Sequence, residues 1–423
     1  MQIHVVEPGQ TLYSIARSYG LAPGFAARWN GLREPFRLAV GQSLLLLSAA
    51  GAYTVRPGDT LFSIARQRDL SAGMLWRLNP NLNGSAELYP GQVLLTDPQA
   101  AQTRVITAAG YAYPFADRRT LQGILPFSSE LIPFTSGFTE EGDLLLPESG
   151  PLLALAELYG VRATLHLSTL TQNDTFSAER AASLLRSDAM QQRLTGQILR
   201  ALRAQSFSGL DVDFEYLPRS LAAPYAAFLA RLHDALAPEG YLLTAALAPK
   251  TADDQPGLLY EGHDYALIGR ACDRVLLMTY EWGYTYGPPQ AVAPIDAVER
   301  VLRYARTRVA PEKILLGFPN YAYDWTLPYV RGQSRAQSIG CEQAPLLAAR
   351  YGAEIQYDAR AETPWFRYTD ENGRVHEVWF EDARSALRKL RLIGTQALAG
   401  VGYWNYMRPF TACFCLQNEL YAL

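Results

Sequence analysis

The chain has 423 residues, 49% apolar and 19% charged, an ordinary globular composition with room for two to four domains of about 100–200 residues. With 38 basic against 41 acidic residues the net charge is −3, which argues against a nucleic-acid partner and against a polybasic membrane anchor. No apolar run approaches the roughly 18 residues of a membrane helix, and the start M-Q-I-H-V-V-E-P-G lacks the charged and apolar stretches of a signal peptide.

The first signal along the chain is an internal repeat. Residues 4–20 read H-V-V-E-P-G-Q-T-L-Y-S-I-A-R-S-Y-G and residues 53–69 read Y-T-V-R-P-G-D-T-L-F-S-I-A-R-Q-R-D, matching at Pro8/Pro57, Gly9/Gly58, Thr11/Thr60, Leu12/Leu61, Ile15/Ile64 and Ala16/Ala65. A copy of this kind marks a duplicated module. In each, a short strand meets a Pro-Gly turn, and Thr11 or Thr60 stands where a hydroxyl would cap the following helix. Leu12, Ile15, Ala16 and Tyr19 recur at helical spacing and predict one buried stripe. A second helix runs to Asn30 or Asn79 and a strand follows, so each copy is expected to be a βααβ unit.

The two copies resemble the lysin motif (LysM), a module that binds glycans containing N-acetylglucosamine, such as peptidoglycan and chitin. The resemblance implies domains at residues 1–48 and 51–97 on flexible junctions, 48–51 and 97–102. It also implies a sugar groove between the turn before the first helix and the loop after the second. That groove maps to Gly58, Asp59, Thr60, Asn79 and Pro80 in the second copy, and to Gly9, Gln10, Thr11 and Asn30 in the first.

From about residue 103 strands and helices alternate. Candidate strands are 105–111, 131–135, 163–167, 209–214, 242–248, 274–280, 313–318 and 400–404, with helix-like stretches at 178–186, 190–205, 224–237, 295–308 and 381–393. Eight apolar strands with helical crossovers predict an α/β fold, a (β/α)8 TIM barrel, over residues 103–423. The excess length lies between the seventh strand and its helix, where residues 324–380 are expected to form a small α+β insertion turning at Asn372-Gly373.

The chemistry is concentrated at the end of the fourth strand, S-G-L-D-V-D-F-E-Y. Strand side chains alternate, so Asp211, Asp213 and Glu215 share the face that enters the barrel, and Leu210, Val212 and Phe214 meet the helices. Three acids there repel one another and lose hydration, so at least one pKa should rise, as a general acid near neutral pH requires. Cys272, Cys341, Cys413 and Cys415 are read as buried or incidental thiols. The five histidines form no ligand pattern, so neither metal nor cofactor is expected.

D-x-D-x-E in this place resembles the signature of glycoside hydrolase family 18, the chitinase-like family. Here Ser208-Gly209 stands for the leading Asp-Gly, Met278-Thr279-Tyr280-Glu281 for the family's M-x-Y-D, and Trp404 in G-Y-W-N-Y ends strand eight. The resemblance implies a retaining, substrate-assisted glycosidase. Glu215 would be the acid/base, Asp213 the acetamido-orienting group, Asp211 its support and Tyr280 the holder of the acetamido oxygen. Trp404, Tyr111, Met278, Glu281 and Trp282 would contact substrate.

LysM copies joined to this barrel, with segments 278–289 and 378–385, resemble the spore cortical-fragment N-acetylglucosaminidases. That implies a peptidoglycan partner, no obligate protein partner, and deposition on the spore after synthesis in the mother cell. The competing readings are a chitinase or endo-N-acetylglucosaminidase on other glycans, and a catalytically idle glycan-binding scaffold.

Overall fold

A computed structural model describes residues 1–98, 104–170 and 176–423. The two repeats form alike. In the first, strand Gln2–Val5 pairs antiparallel with Ser43–Leu46 around helices Leu12–Ser18 and Pro23–Trp29. In the second, Ala52–Thr54 pairs with Val93–Leu95 around Leu61–Gln67 and Ala72–Leu78. Thr11 and Thr60 cap their helices reciprocally with Ser14 and Ser63, each hydroxyl accepting the other residue's backbone N–H. Leu12, Ile15 and Ala16 are buried, but Tyr19 is not in the stripe. It falls at the helix C-cap, turns outward, and meets the ring of His4 edge-on.

The barrel strands are Thr107–Ala112, Glu130–Pro133, a split third strand (Arg162–Ala163 and Leu165–Ser168), Gly209–Asp213, Leu242–Leu247, Arg274–Leu277, Ile314–Pro319 and Gly400–Trp404. All pair in parallel, and the eighth returns to the first at Gly400↔Thr107. The two pieces of strand three divide its pairing: the first joins strand two and the second joins strand four. Strand six ends at Leu277, short of the expected Tyr280, because Thr279 and Tyr280 donate back to Leu277 and Met278 in two successive tight turns. Helix Thr411–Leu420, unread in the sequence, follows strand eight.

Between strand seven and helix Ala383–Thr395 lies the insertion, a five-stranded antiparallel sheet built on Ala322–Thr326, Thr363–Thr369 and Val375–Trp379, with helix Gln343–Tyr351 against it. Its hairpin turns at Gly373, whose φ of +75° suits glycine.

The expected flexible tethering of the repeats is corrected by their packing. Trp29, Leu45, Leu47, Leu78 and Leu95 share one continuous core with Phe414, Cys415 and Leu416 of the last helix. Arg77 Nη1 donates to Pro126 O at 3.1 Å, Tyr159 to Gly84 O at 2.7 Å, and Ile355 N to Val40 O at 2.9 Å. Buried apolar contact and satisfied backbone groups seat both modules against the barrel. The second junction runs partly outside the described residues.

Candidate active site

The fourth strand divides as alternation requires. Phe214 stacks on Tyr225 and Phe228 of helix Ala222–Leu236, while Asp211 and Asp213 lie buried in the barrel interior. Near the opposite, N-terminal end of the sheet, Arg274 pairs with Glu130 at 2.8 Å, both buried, and Thr164 donates to the same carboxylate. The acids therefore stand above a plugged floor, at the C-terminal rim where barrels carry their sites.

Three neighbours shape the acids. The Tyr111 hydroxyl donates to Asp211 Oδ2 at 2.9 Å, and Asp211 Oδ1 has no hydrogen-bond partner among the described residues. His166 Nε2 lies 3.7 Å from Asp213 Oδ2, and its Nδ1 lies 3.1 Å from Thr135 Oγ1. Tyr280 sits in the tight turns just past strand six, beside Asp213 and Glu215, and burial and these two acids push its hydroxyl pKa well above the ordinary range.

Burial raises the Asp211 pKa well above its usual value, the adjacent Asp213 adds to this, and the Tyr111 hydrogen bond opposes it. Glu215 is also raised well above the usual carboxylate range, first by burial and then by the charges of Asp213 and Glu281. Glu281 itself is raised by burial and opposed by hydrogen bonds from Tyr321 and Tyr323, the latter at 3.1 Å. These tyrosines come from the insertion and its entry.

A cavity of about 520 Å³ opens over Asp213 and Glu215, with Trp404, Tyr113, Phe115 and Phe134 among its walls. The Trp404 ring meets Phe134 edge-on at 4.9 Å. A second hollow of about 420 Å³ shares Glu215, Met278, Tyr280 and Glu281 and adds Trp282 and Tyr284. Apolar walls with a few convergent polar groups suit a sugar ring with its hydroxyls and acetamide.

Asp211, Asp213, Glu215, Tyr280, Trp404, Met278, Glu281 and Trp282 are thus brought together. Tyr111 also lines the cavity, 2% exposed, with its hydroxyl donated to Asp211. His166, Thr135, Tyr321 and Tyr323 were missed. His166 alternates inward with Ser168 on strand three, a signal readable once the strand is placed.

The repeats give a different picture. Asn79 donates to Leu75 O and Leu95 O and accepts from Leu95 N, and Asn30 does the same with Ala26 and Leu45. These amides stitch a helix end to a strand, so the expectation that they contact sugar is corrected for both side chains. Asp59 accepts from Tyr53 and Arg56, Gln10 bonds His4 and Glu7, and Thr11 and Thr60 serve as caps. Gly9 and Gly58 hold the turns at φ of +81° and +87°, and Pro80 opens a single 3-10 turn.

A parallel eight-stranded barrel with acids and aromatics at its C-terminal rim has the architecture of a (β/α)8 glycosidase. The family model "Glycosyl hydrolases family 18" matches residues 172–408, and the LysM domain model matches residues 4–46 and 53–96. The cortical fragment-lytic enzyme of Bacillus subtilis (strain 168) is 38% identical over 425 residues, spanning 99% of this chain and 98% of that protein. The crystal structure of the Bacillus cereus spore cortex-lytic enzyme SleL superposes with a TM-score of 0.84 at 33% identity, covering 100% of this chain and 98% of that one. The corresponding Bacillus megaterium QM B1551 structure also gives 0.84, at 35% identity. The chain belongs to glycosyl hydrolase family 18, a glycosidase carrying two LysM domains.

Proposed function

We propose that this glycosidase hydrolyses β-1,4 bonds in spore-cortex peptidoglycan, cutting after N-acetylglucosamine with retention of configuration. The observation that carries the reading is the row Asp211, Asp213 and Glu215 beneath a cavity walled by Tyr280 and Trp404. The names of its relatives, which act on cortical fragments, supply the substrate. The LysM modules hold the glycan, and the enzyme works on the spore.

Family 18 enzymes depart from the two-carboxylate scheme by using the substrate's own acetamide. The acetamido oxygen attacks the anomeric carbon while Glu215 protonates the departing oxygen, and a cyclic oxazolinium ion forms. Asp213 accepts the acetamido N–H and offsets the positive charge, Asp211 supports Asp213, and Tyr280 holds the acetamido oxygen. Glu215, now a carboxylate, takes a proton from water as the water opens the ring. Two displacements at one carbon retain its configuration.

The sugar on the non-reducing side of the cut must then carry a free N-acetyl group. Muramic lactam, abundant in cortex, has its nitrogen tied into a ring and cannot supply the nucleophile. N-acetylglucosamine can, and Trp404 offers an apolar ring face for the sugar to lie against. Digestion of cortex fragments followed by reduction with labelled borohydride should place label in glucosaminitol. Label in muramicitol refutes the assignment of Asp213 and Glu215.

A further inference from the structure

We infer that the segment Gly262-His263 is a positioning device for Glu215, clamping the backbone on both sides of that residue so that its carboxyl meets the departing oxygen. The inference rests on the general-acid role proposed above for Glu215.

Strands four and five part at this point. Their last ladder pair is Val212↔Ala245, so the backbone around Phe214 has left the sheet when it reaches Glu215. His263, fully buried, bridges the gap. Its Nε2 lies 2.9 Å from Phe214 O, and its Nδ1 lies 2.9 Å from Ala248 N, just past strand five. A backbone N–H can only donate and a carbonyl can only accept, so Nδ1 is the bare nitrogen and Nε2 carries the proton. Burial holds the imidazole pKa below its ordinary value, in keeping with this neutral tautomer.

The clamp is itself anchored. Lys250, 2% exposed, donates from Nζ to His263 O and to Asp253 O, both at 3.0 Å. Tyr265 donates to Ala248 O at 2.5 Å and accepts from Lys250 N at 3.1 Å. On the far side of Glu215, Gly262 presses against Leu217 so closely that an added Cβ would lie 2.2 Å from the Leu217 Cβ. Between the two contacts Tyr216 has φ of +56°, a conformation that a residue with a side chain keeps only where its surroundings hold it. The chain at Glu215 is thus fixed at Phe214, bent at Tyr216 and fixed again at Leu217. Neither His263 nor Gly262 is among the residues lining either active-site hollow.

Full-length His263→Phe, which keeps a ring and removes both hydrogen bonds, and Gly262→Ala test this by leaving-group dependence. Cleavage of cortex fragments needs a proton from Glu215. Cleavage of 2,4-dinitrophenyl N,N′-diacetyl-β-chitobioside does not, because the phenolate leaves unaided. For His263→Phe we expect kcat/KM on fragments to fall on the order of 10²-fold, the effect of misplacing a reacting group by about 1 Å. On the aryl glycoside it should fall less than about tenfold, since the general-acid contribution is absent there. Gly262→Ala should show the same split, and it carries the test if His263→Phe does not fold. Equal losses on both substrates would mean a merely structural role and overturn the inference. Glu215→Gln is the reference: it must show the largest split, and if it loses equally on both substrates the function proposed for Glu215 fails. If Glu215→Gln shows the split and the clamp variants do not, only the positioning inference fails.

Discussion

The Tyr111 hydroxyl reaches across the barrel interior from strand one to donate to Asp211 Oδ2 on strand four. This bond occupies one side of the carboxyl. The other oxygen, Oδ1, is buried with no hydrogen-bond partner among the described residues, next to an acid whose charge pushes the Asp211 pKa up. Burial and the neighbouring acid both favour the neutral form of this carboxyl, and the Tyr111 hydrogen bond opposes them. Tyr111 thus ties strand one to the acid row of strand four.

The arrangement costs stability, and the sign can be worked out. Asp211 has a folded-state pKa above the unfolded value of about 3.9, so the folded state holds the proton longer. Stability from this group is complete below that value and is lost as pH rises through the folded pKa. Asp211→Asn keeps an oxygen to accept from Tyr111 and removes the titration. It should raise Tm by about 1–3 °C at pH 7, with the gain shrinking toward pH 4, while fragment hydrolysis collapses. Thermal melts at the two pH values check this, and a lower Tm at pH 7 counts against it.

Docking of the repeats makes a second prediction. Trp29, Leu45, Leu47, Leu78 and Leu95 are buried in the core that includes the last helix. Each large side chain removed from that surface withdraws about 1.5–3 kcal/mol of burial. A protein lacking residues 1–97 should therefore melt several degrees lower and bind a hydrophobic dye more strongly than the full chain. An unchanged melt would show that the modules only rest on the barrel.

Much of this was legible in the sequence, because its periodicities report burial directly. The capping threonines, the inward acids of strand four and strand Gly400–Trp404 all follow from local pattern. What pattern does not carry is partnership between distant segments. Nothing near Asn79 announces that its amide bonds Leu95, sixteen residues on. Nothing near Glu281 announces two tyrosines from the insertion and its entry. The early end of strand six also escaped, since M-T-Y is good strand sequence and only its tight turns remove it from the ladder.

That pair of tyrosines leads to the last prediction. Desolvation of the Glu281 carboxyl by its surroundings favours its neutral form, yet Tyr321 and Tyr323 donate to its carboxylate and favour the charge. The charged Glu281 in turn raises the Glu215 pKa, behind the larger effect of burial. Glu215 must be protonated to release the leaving oxygen, so the basic limb of kcat/KM against pH follows its pKa. Glu281→Gln removes a neighbouring negative charge, the Glu215 pKa falls, and the basic limb should move to lower pH. Tyr321→Phe should move it the same way by less, because losing one donor raises the Glu281 pKa and leaves it less often charged. The profile is measured on soluble cortex fragments in buffers of constant ionic strength, so that screening does not mimic the effect. A basic limb that stays in place or moves upward in Glu281→Gln would remove Glu281 from the electrostatics of the acid.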